Sequence, residues 1–319
     1  MPNFAIRPAV PADAPAVVEL RRSVYPYLVR GTASTKRMIA EPPPGEDWAA
    51  FVATVAGEVT GWVSAYRDIR AAEPHIGQVS LLHVREQHRR RGIGAALLAA
   101  AAGHLRAVGV RRIAATSTAG ALNFARRYGF EPTREVRYSA LDLAGLSPTG
   151  PDLTGWDPAA PARPPAPGAG VRLVPLRDLD EHALYEADVR AATDEPGAVP
   201  HEPPSYQTWH YEVWTNDGLD HDASTAAVVG SSVVSFSLVK RDGDRIWSDM
   251  TATLPAYRGR GLARAVKLAT LHRAALRGAV TAYTANDEGN LPMLAINARL
   301  GYRPVATQWS GTAPLPLLP

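Results

Sequence analysis

The sequence predicts a mixed α/β fold, α+β in its sheet arrangement, built as two tandem domains on either side of a proline-rich linker. Three observations predict it. A chain of 319 residues is too long for one ordinary domain and suits two. The stretch from Ser147 to Gly170, SPTGPDLTGWDPAAPARPPAPGAG, carries seven prolines and almost no periodic apolar pattern, so it holds neither a helix nor an inner strand. The flanking halves also repeat each other. His88-Arg-Arg-Arg-Gly-Ile-Gly matches Tyr257-Arg-Gly-Arg-Gly-Leu-Ala at an offset of 169 residues, and Arg127-Tyr-Gly-Phe matches Arg299-Leu-Gly-Tyr at 172. The boundaries read as 1–146, 147–170 and 171–319.

Each half then gives the same order of elements. Phe4 to Arg7 is a short strand, and Asp13 with Pro15 opens a helix to about Arg22, an acceptor at the cap and a proline in the first turn. Phe51 to Val55 and Val59 to Tyr66 form a hairpin around Ala56-Gly57. Gln78 to Val84 is a strand, and Ile93 to Val108 is an Ala/Leu-rich helix stopped by Gly109. Arg111 to Ser117 is a strand, Ala119 to Tyr128 a helix ending at Gly129, and Val136 to Leu143 the strand that closes the half. The second half repeats the order with a strand at Val171 to Leu176, a helix around Glu181 to Ala192, and strands at Thr225–Val229, Val233–Val239 and Arg245–Leu254. A helix from Leu262 to Leu276, a strand from Ala279 to Thr284, a helix from Leu291 to Leu300 and a final strand near Val305 to Ser310 complete it.

Composition excludes several classes of function. The charge balance is only +3, so neither a nucleic acid nor a membrane is required as partner. A hydrophobic fraction of 46% with 20% charged residues excludes global disorder. With no cysteine, disulfides, thiolate metal sites and cysteine nucleophiles are excluded, and no metal site is expected. No apolar run approaches the ~20 residues a membrane helix needs. The N-terminal MPNFAIRPAVPADAP lacks a signal-peptide core, which points to the cytoplasm.

The chemistry concentrates at two strand–turn–helix junctions. Val84 ends a strand, and Arg89-Arg90-Arg91-Gly92-Ile93-Gly94-Ala95 leads straight into a helix. Thr253 ends the matching strand, and Arg258-Gly259-Arg260-Gly261-Leu262-Ala263 does the same. Glycine or alanine lets an anion approach the backbone, where the free N–H groups and dipole of the helix start bind it. Flanking arginines add charge-assisted bonds. A solvated basic turn is the bland alternative, and its repetition at the same place in both halves argues against it.

These turns, followed by a helix, a strand and a helix ending in Gly-Phe130 or Gly-Tyr302, resemble the GNAT superfamily of acyl-CoA N-acyltransferases. The resemblance covers both halves outside the linker. It implies two tandem GNAT-like domains, with acetyl-CoA or another acyl-CoA as co-substrate, its pyrophosphate on the turns and its pantetheine along the strands ending at Val84 and Thr253. It also implies Asn290, and with it Asn297, near the CoA arm in the second half; Thr118 stands at the position of Asn290 in the first. Where many members carry a tyrosine that protonates the departing thiolate, this sequence has Ala125 and Asn297.

Acyl transfer to an amine needs a proton acceptor. Asp249, in Trp247-Ser-Asp-Met-Thr-Ala-Thr253, is the candidate base, because strand alternation groups it with Thr251 and Thr253. A structural hydrogen-bonding role is its alternative. His83 is the titratable residue near the matching strand end of the first half, with a structural role as the plainer reading. Tyr128, Tyr138, Tyr283 and Tyr302 are possible acids or core residues. His201, Glu202, His210 and Glu212, the acidic run from Asp217 to Asp222, and Trp209, Tyr211 and Trp214 fall where the acceptor pocket is expected, and their spacing is too irregular for zinc. The expected function is N-acetyl transfer to a primary amine of a small molecule or peptide, with the second half preferred as catalytic on Asn290 and Asp249. A mycothiol-synthase-like acetyltransferase and a non-catalytic CoA-binding or CoA-sensing module are the alternatives.

Overall fold

The structure is a computed structural model that describes residues 3–144, 170–192 and 202–318. The linker assigned to residues 147–170 lies outside the described residues except for Gly170. In chain order the elements are β1 (Ala5–Pro8), α1 (Ala14–Val24), α2 (Thr32–Ala40), β2 (Ala49–Val55), β3 (Glu58–Arg67), β4 (Ile76–Val84), α3 (Ile93–Ala107), β5 (Arg112–Thr118), α4 (Leu122–Arg127) and β6 (Glu131–Asp142). They continue with β7 (Val171–Pro175), α5 (Glu181–Ala192), α6 (Tyr206–Trp209), β8 (Thr225–Val229), β9 (Ser232–Asp242), β10 (Arg245–Thr253), α7 (Leu262–Leu276), β11 (Thr281–Asp287), α8 (Leu291–Arg299) and β12 (Arg303–Pro314). The helices α2 and α6 are additions to the sequence reading; TASTKRMIA of α2 carries too few apolar residues to show a helical period.

The chain forms two compact units. Unit 1 runs to Arg137 and also takes in the chain from Ala306 onward; unit 2 is made chiefly of Tyr138 to Val305. In unit 1 the strand order is β1-β2-β3-β4-β5-β12, antiparallel except for the β4–β5 pair. Helix α3 buries Leu97, Leu98, Ala101 and Leu105 against one sheet face, and α1 buries Val17 and Leu20 against the other with Trp62. The β2–β3 hairpin turns at Ala56 (φ 48°) and Gly57 (φ 87°), two successive left-handed residues whose twist matches the flanking strands. Asp13 stands at the start of α1 but makes no side-chain cap bond to it; its carboxylate accepts two bonds from Arg7, both at 2.7 Å, and one from the Val10 N–H at 2.8 Å. The Arg7 guanidinium holds its carboxyl below the usual carboxylate range.

Unit 2 repeats the plan with β7-β8-β9-β10-β11 and a parallel β10–β11 pair. Helix α7 covers one face through Val266, Leu271 and Ala274, while α5 and Trp209 cover the other.

The closing strands are the main departure from the sequence reading. The strand expected to close the first half contributes Tyr138 to Asp142 to unit 2, where Leu141 and Leu143 join the core with Ala282 and Leu300. The strand expected to close the second half contributes its residues from Ala306 to unit 1, pairing Gln308 with Thr118 through Pro314 with Arg112. Two repeated domains offer equivalent sheet edges, so local patterning cannot specify which edge each final strand completes.

Gly311 marks the closest approach in this arrangement. A Cβ there would stand 2.1 Å from the Glu131 carbonyl oxygen and 2.7 Å from its carbon, with backbone on both sides of the contact. Gly311→Ala is therefore expected to destabilise unit 1 by at least about 2–3 kcal/mol. Thermal unfolding checks this; an unchanged melting temperature would remove the steric claim.

Candidate functional site

The two turns are superimposable in their bonding. Arg89 donates from Nε to the Val84 carbonyl at 3.0 Å, and Arg258 donates from Nε to the Thr253 carbonyl at 3.1 Å. Both arginines thus tie the turn back to the strand end, a role beyond the phosphate contact expected of them. Arg90 (φ 62°) and Gly259 (φ 74°) occupy the same left-handed position. Gly92 (φ 85°) and Gly261 (φ 74°) are the left-handed N-caps of α3 and α7. Neither cap glycine supplies a side-chain acceptor, so the first N–H groups of both helices remain available to an anion. Ile93 and Leu262 point into the cores, and Gly94, Ala95 and Ala263 keep the first turn small.

Next to each turn the sheet opens. Strand β4 pairs with β5 only from Ile76 to Val79, and β10 pairs with β11 only from Arg245 to Trp247. The cause is a bulge. On the β3 side the register shifts between Trp62–His83 and Ser64–Ser80, with Leu81 at φ 55°. On the β9 side it shifts between Ser248 and Thr251. An extra residue bends the strand and leaves its backbone groups outside the ladder. In unit 1 the result is a cleft of about 490 Å³, open mouth included, between the ends of β4 and β5. Val79, Leu98, Ala115, Ala125 and Phe130 form its apolar floor, and Thr116, Ser117 and Thr118 edge it.

Tyr25 also lines this cleft, and its hydroxyl donates to the Leu82 carbonyl at 3.4 Å. Burial pushes that hydroxyl up to about 12, so it stays protonated. His83 packs edge-on against Tyr25 and bonds through Nδ1 to the Leu81 carbonyl. Burial, helped by the Arg21 guanidinium, takes its pKa down to about 3, so His83 is an enclosed neutral ring that holds the bulge.

The residues that favoured the second half have other engagements. Asp249 accepts from Lys240 Nζ at 2.8 Å and from Trp247 Nε1 at 3.2 Å. Because the bulge falls between Ser248 and Thr251, the alternation that grouped Asp249 with Thr251 and Thr253 is broken. Those threonines bond instead to the hydroxyls of Ser237 and Ser235. Asn290 caps α8 by accepting from the Met293 N–H at 3.3 Å. Asn297 is buried and donates to Asn286 Oδ1 at 2.7 Å.

The expected acceptor region is mostly internally satisfied. Asp220 and Asp222 of the acidic run meet Arg277, Arg241 and Arg177. Trp209 is fully buried and donates to Asp188 at 2.7 Å. His210 faces Glu181 at 3.6 Å, and His201 lies outside the described residues. Tyr128 packs at a tilt against Phe124, Tyr138 at a tilt against Trp247, and Tyr283 lies under Arg245.

A family model described as "Acetyltransferase (GNAT) family" matches residues 15–130 and again 182–302. The chain belongs to the GNAT family. Each match spans one turn and the wedge beside it, so the acyltransferase fold is present twice. A tandem GNAT protein from the clavulanic acid biosynthesis pathway matches 98% of this chain and 98% of its own, at 22% identity and TM-score 0.72. A GCN5-related N-acetyltransferase from Sphaerobacter thermophilus matches 98% and 96% at 18% identity and TM-score 0.67. A putative acetyltransferase from Pyrococcus horikoshii matches 100% and 92% at 17% identity and TM-score 0.57. At these identities the likeness is one of fold. No curated protein matches the chain. Among the described residues no helix is long and apolar enough to cross a membrane.

One buried residue of this GNAT chain carries no sequence-level expectation. Lys267 of α7 is 1% exposed and donates to Ser248 Oγ at 2.7 Å, with its ammonium 5.4 Å from the Tyr302 ring centroid. Among the described residues no carboxylate pairs with it. Aligning the halves at the 169-residue offset sets Lys267 against Leu98, a contrast visible in the sequence itself.

Proposed function

We propose that this GNAT protein transfers an acetyl group from acetyl-CoA to a primary amine of a small molecule or peptide, with the acyl site in the wedge of unit 1. One observation carries the reading: the open cleft between β4 and β5 has an apolar floor that suits a short acyl group, and the left-handed turn and free helix start of α3 stand beside it. In this reading the N–H groups from Gly92 onward hold the pyrophosphate, and the bulge at residues 81 and 82 offers backbone N–H donors to the thioester oxygen. The acceptor amine attacks as the neutral base. Ala125 leaves the thiolate without a tyrosine, so water or the departing ammonium proton protonates it. Asp249, held by Lys240, serves structure in unit 2; Asp249→Asn is expected to change the maximal rate less than about threefold, well below the effect of losing a positioned base. A hundredfold loss would return the base to that position.

A CoA-sensing module without turnover is the second reading, favoured by Ala125 and Asn297 standing where a tyrosine acid is usual. Steady-state CoA release across a panel of amines separates them. Amine-dependent release above the rate of thioester hydrolysis supports transfer, whereas thermal stabilisation by acetyl-CoA with no release supports sensing.

A further inference from the structure

The two wedges differ at their floors in a systematic way. The residues Val79, Leu98, Ala115, Ala125 and Phe130 under the unit 1 cleft correspond in the repeat to Ser248, Lys267, Thr284, Asn297 and Tyr302 in unit 2. Five apolar positions become five polar ones, and all five polar residues are at most 5% exposed. Lys267 and Thr284 meet at Ser248, while Asn297 bonds outside the five. Lys267 donates to Ser248 Oγ, Thr284 donates from Oγ1 to the Ser248 carbonyl at 3.1 Å, and Asn297 bonds Asn286.

The network is incomplete. Asn297 Oδ1 has no hydrogen-bond partner, and the Tyr302 hydroxyl lies near Ser248 without a well-formed bond. Lys267 has its Ser248 contact and an aromatic face, and no counter-charge among the described residues. Buried amines and orphaned polar atoms are costly unless something completes them. The donors among these groups, the Lys267 ammonium and the Tyr302 hydroxyl, call for an anionic acceptor, whereas Asn297 Oδ1 is itself an acceptor and takes no part in that requirement. A carboxylate accepts from an ammonium, from a tyrosine hydroxyl and from a serine hydroxyl, and it supplies the absent negative charge.

We propose that the wedge of unit 2 takes an acyl-CoA whose acyl group ends in a carboxylate, a malonyl or succinyl type of thioester, with Lys267 as its counter-charge. The inference rests on the reading of the wedges as acyl-CoA slots. It makes the two units selective for different thioesters, apolar acyl in unit 1 and dicarboxylic acyl in unit 2.

Calorimetric titration of the full chain with acetyl-CoA and with succinyl-CoA tests it. The wild-type protein is expected to hold succinyl-CoA at one site at least about 10-fold more tightly than that site holds acetyl-CoA, the scale of one buried charge pair. Lys267→Met is expected to erase that preference and to leave acetyl-CoA binding at the other site unchanged. Lys267→Leu, which restores the residue of unit 1, gives a second variant if the first does not melt cooperatively. Tyr302→Phe keeps the amine and is expected to retain part of the preference. Equal affinities for the two esters in the wild type, or a preference that survives loss of the amine, overturns the inference alone. Binding of neither ester overturns the acyl-CoA reading as well.

Discussion

Gly92→Glu is expected to lower kcat/KM for acetyl-CoA by about 10²- to 10³-fold, while Gly261→Glu leaves acetyl transfer within about threefold of the wild type. Both glycines are left-handed N-caps, and nothing stands within 4 Å of the missing Cβ at Gly92, so a side chain there meets strain and no clash. A non-glycine residue at such a φ costs of the order of 1–2 kcal/mol, equally in the two variants. The difference between them therefore reports the ligand. A carboxylate at the Gly92 position faces the helix start where the pyrophosphate is proposed to sit, and it replaces attraction by repulsion. Gly92→Ala supplies the strain without the charge and separates the two causes. Steady-state rates at several acetyl-CoA concentrations decide the matter. If Gly261→Glu is the variant that loses turnover, the acetyl site belongs to unit 2 and the apolar cleft of unit 1 has another use.

Lys267→Met is expected to be more stable than the wild type at pH 7 by roughly 2–4 kcal/mol, the penalty of an enclosed amine removed. Burial takes the Lys267 pKa from its ordinary value down to about 7. Between about pH 7 and 10.5 the unfolded chain binds a proton that the folded chain does not, so the stability of the wild type rises with pH through that window. Below about pH 7 the penalty is fully present and constant. The titratable group facing the amine is Tyr302, whose hydroxyl burial pushes well above the usual tyrosine range, so it stays neutral across the same window. Denaturant unfolding of both proteins at pH 7 and pH 9 checks this. The gap between them is expected to narrow as pH rises, and a gap independent of pH would mean that Lys267 does not titrate in the folded state.

The turns were legible because they are local. A glycine at a left-handed N-cap, basic neighbours and an apolar-periodic helix lie within about ten residues of each other, and both copies read alike. Helix and strand order was legible for the same reason; the predicted Leu262–Leu276 helix and Thr225–Val229 strand match α7 and β8 end to end. Asp249 shows where local reading stops. Alternation assigns a face only while register is kept, and the bulge between Ser248 and Thr251 is set by pairing with β9, remote from the strand's own sequence.

The amino-acid sequence by itself determined a duplicated GNAT fold and two glycine turns that open helices, because each rests on short-range pattern and on glycine at fixed offsets from a helix. Tertiary structure decided the rest. It decided which sheet edge receives each final strand, since the duplicated edges at β5 and β11 are equivalent to any local signal. It decided that an apolar floor lies under one wedge and a buried lysine, serine and tyrosine under the other, since those side chains come from a strand, a helix and a loop that meet only when the sheet is assembled. Burial, and with it the lowered pKa of Lys267, is a property of that assembly and of no single segment.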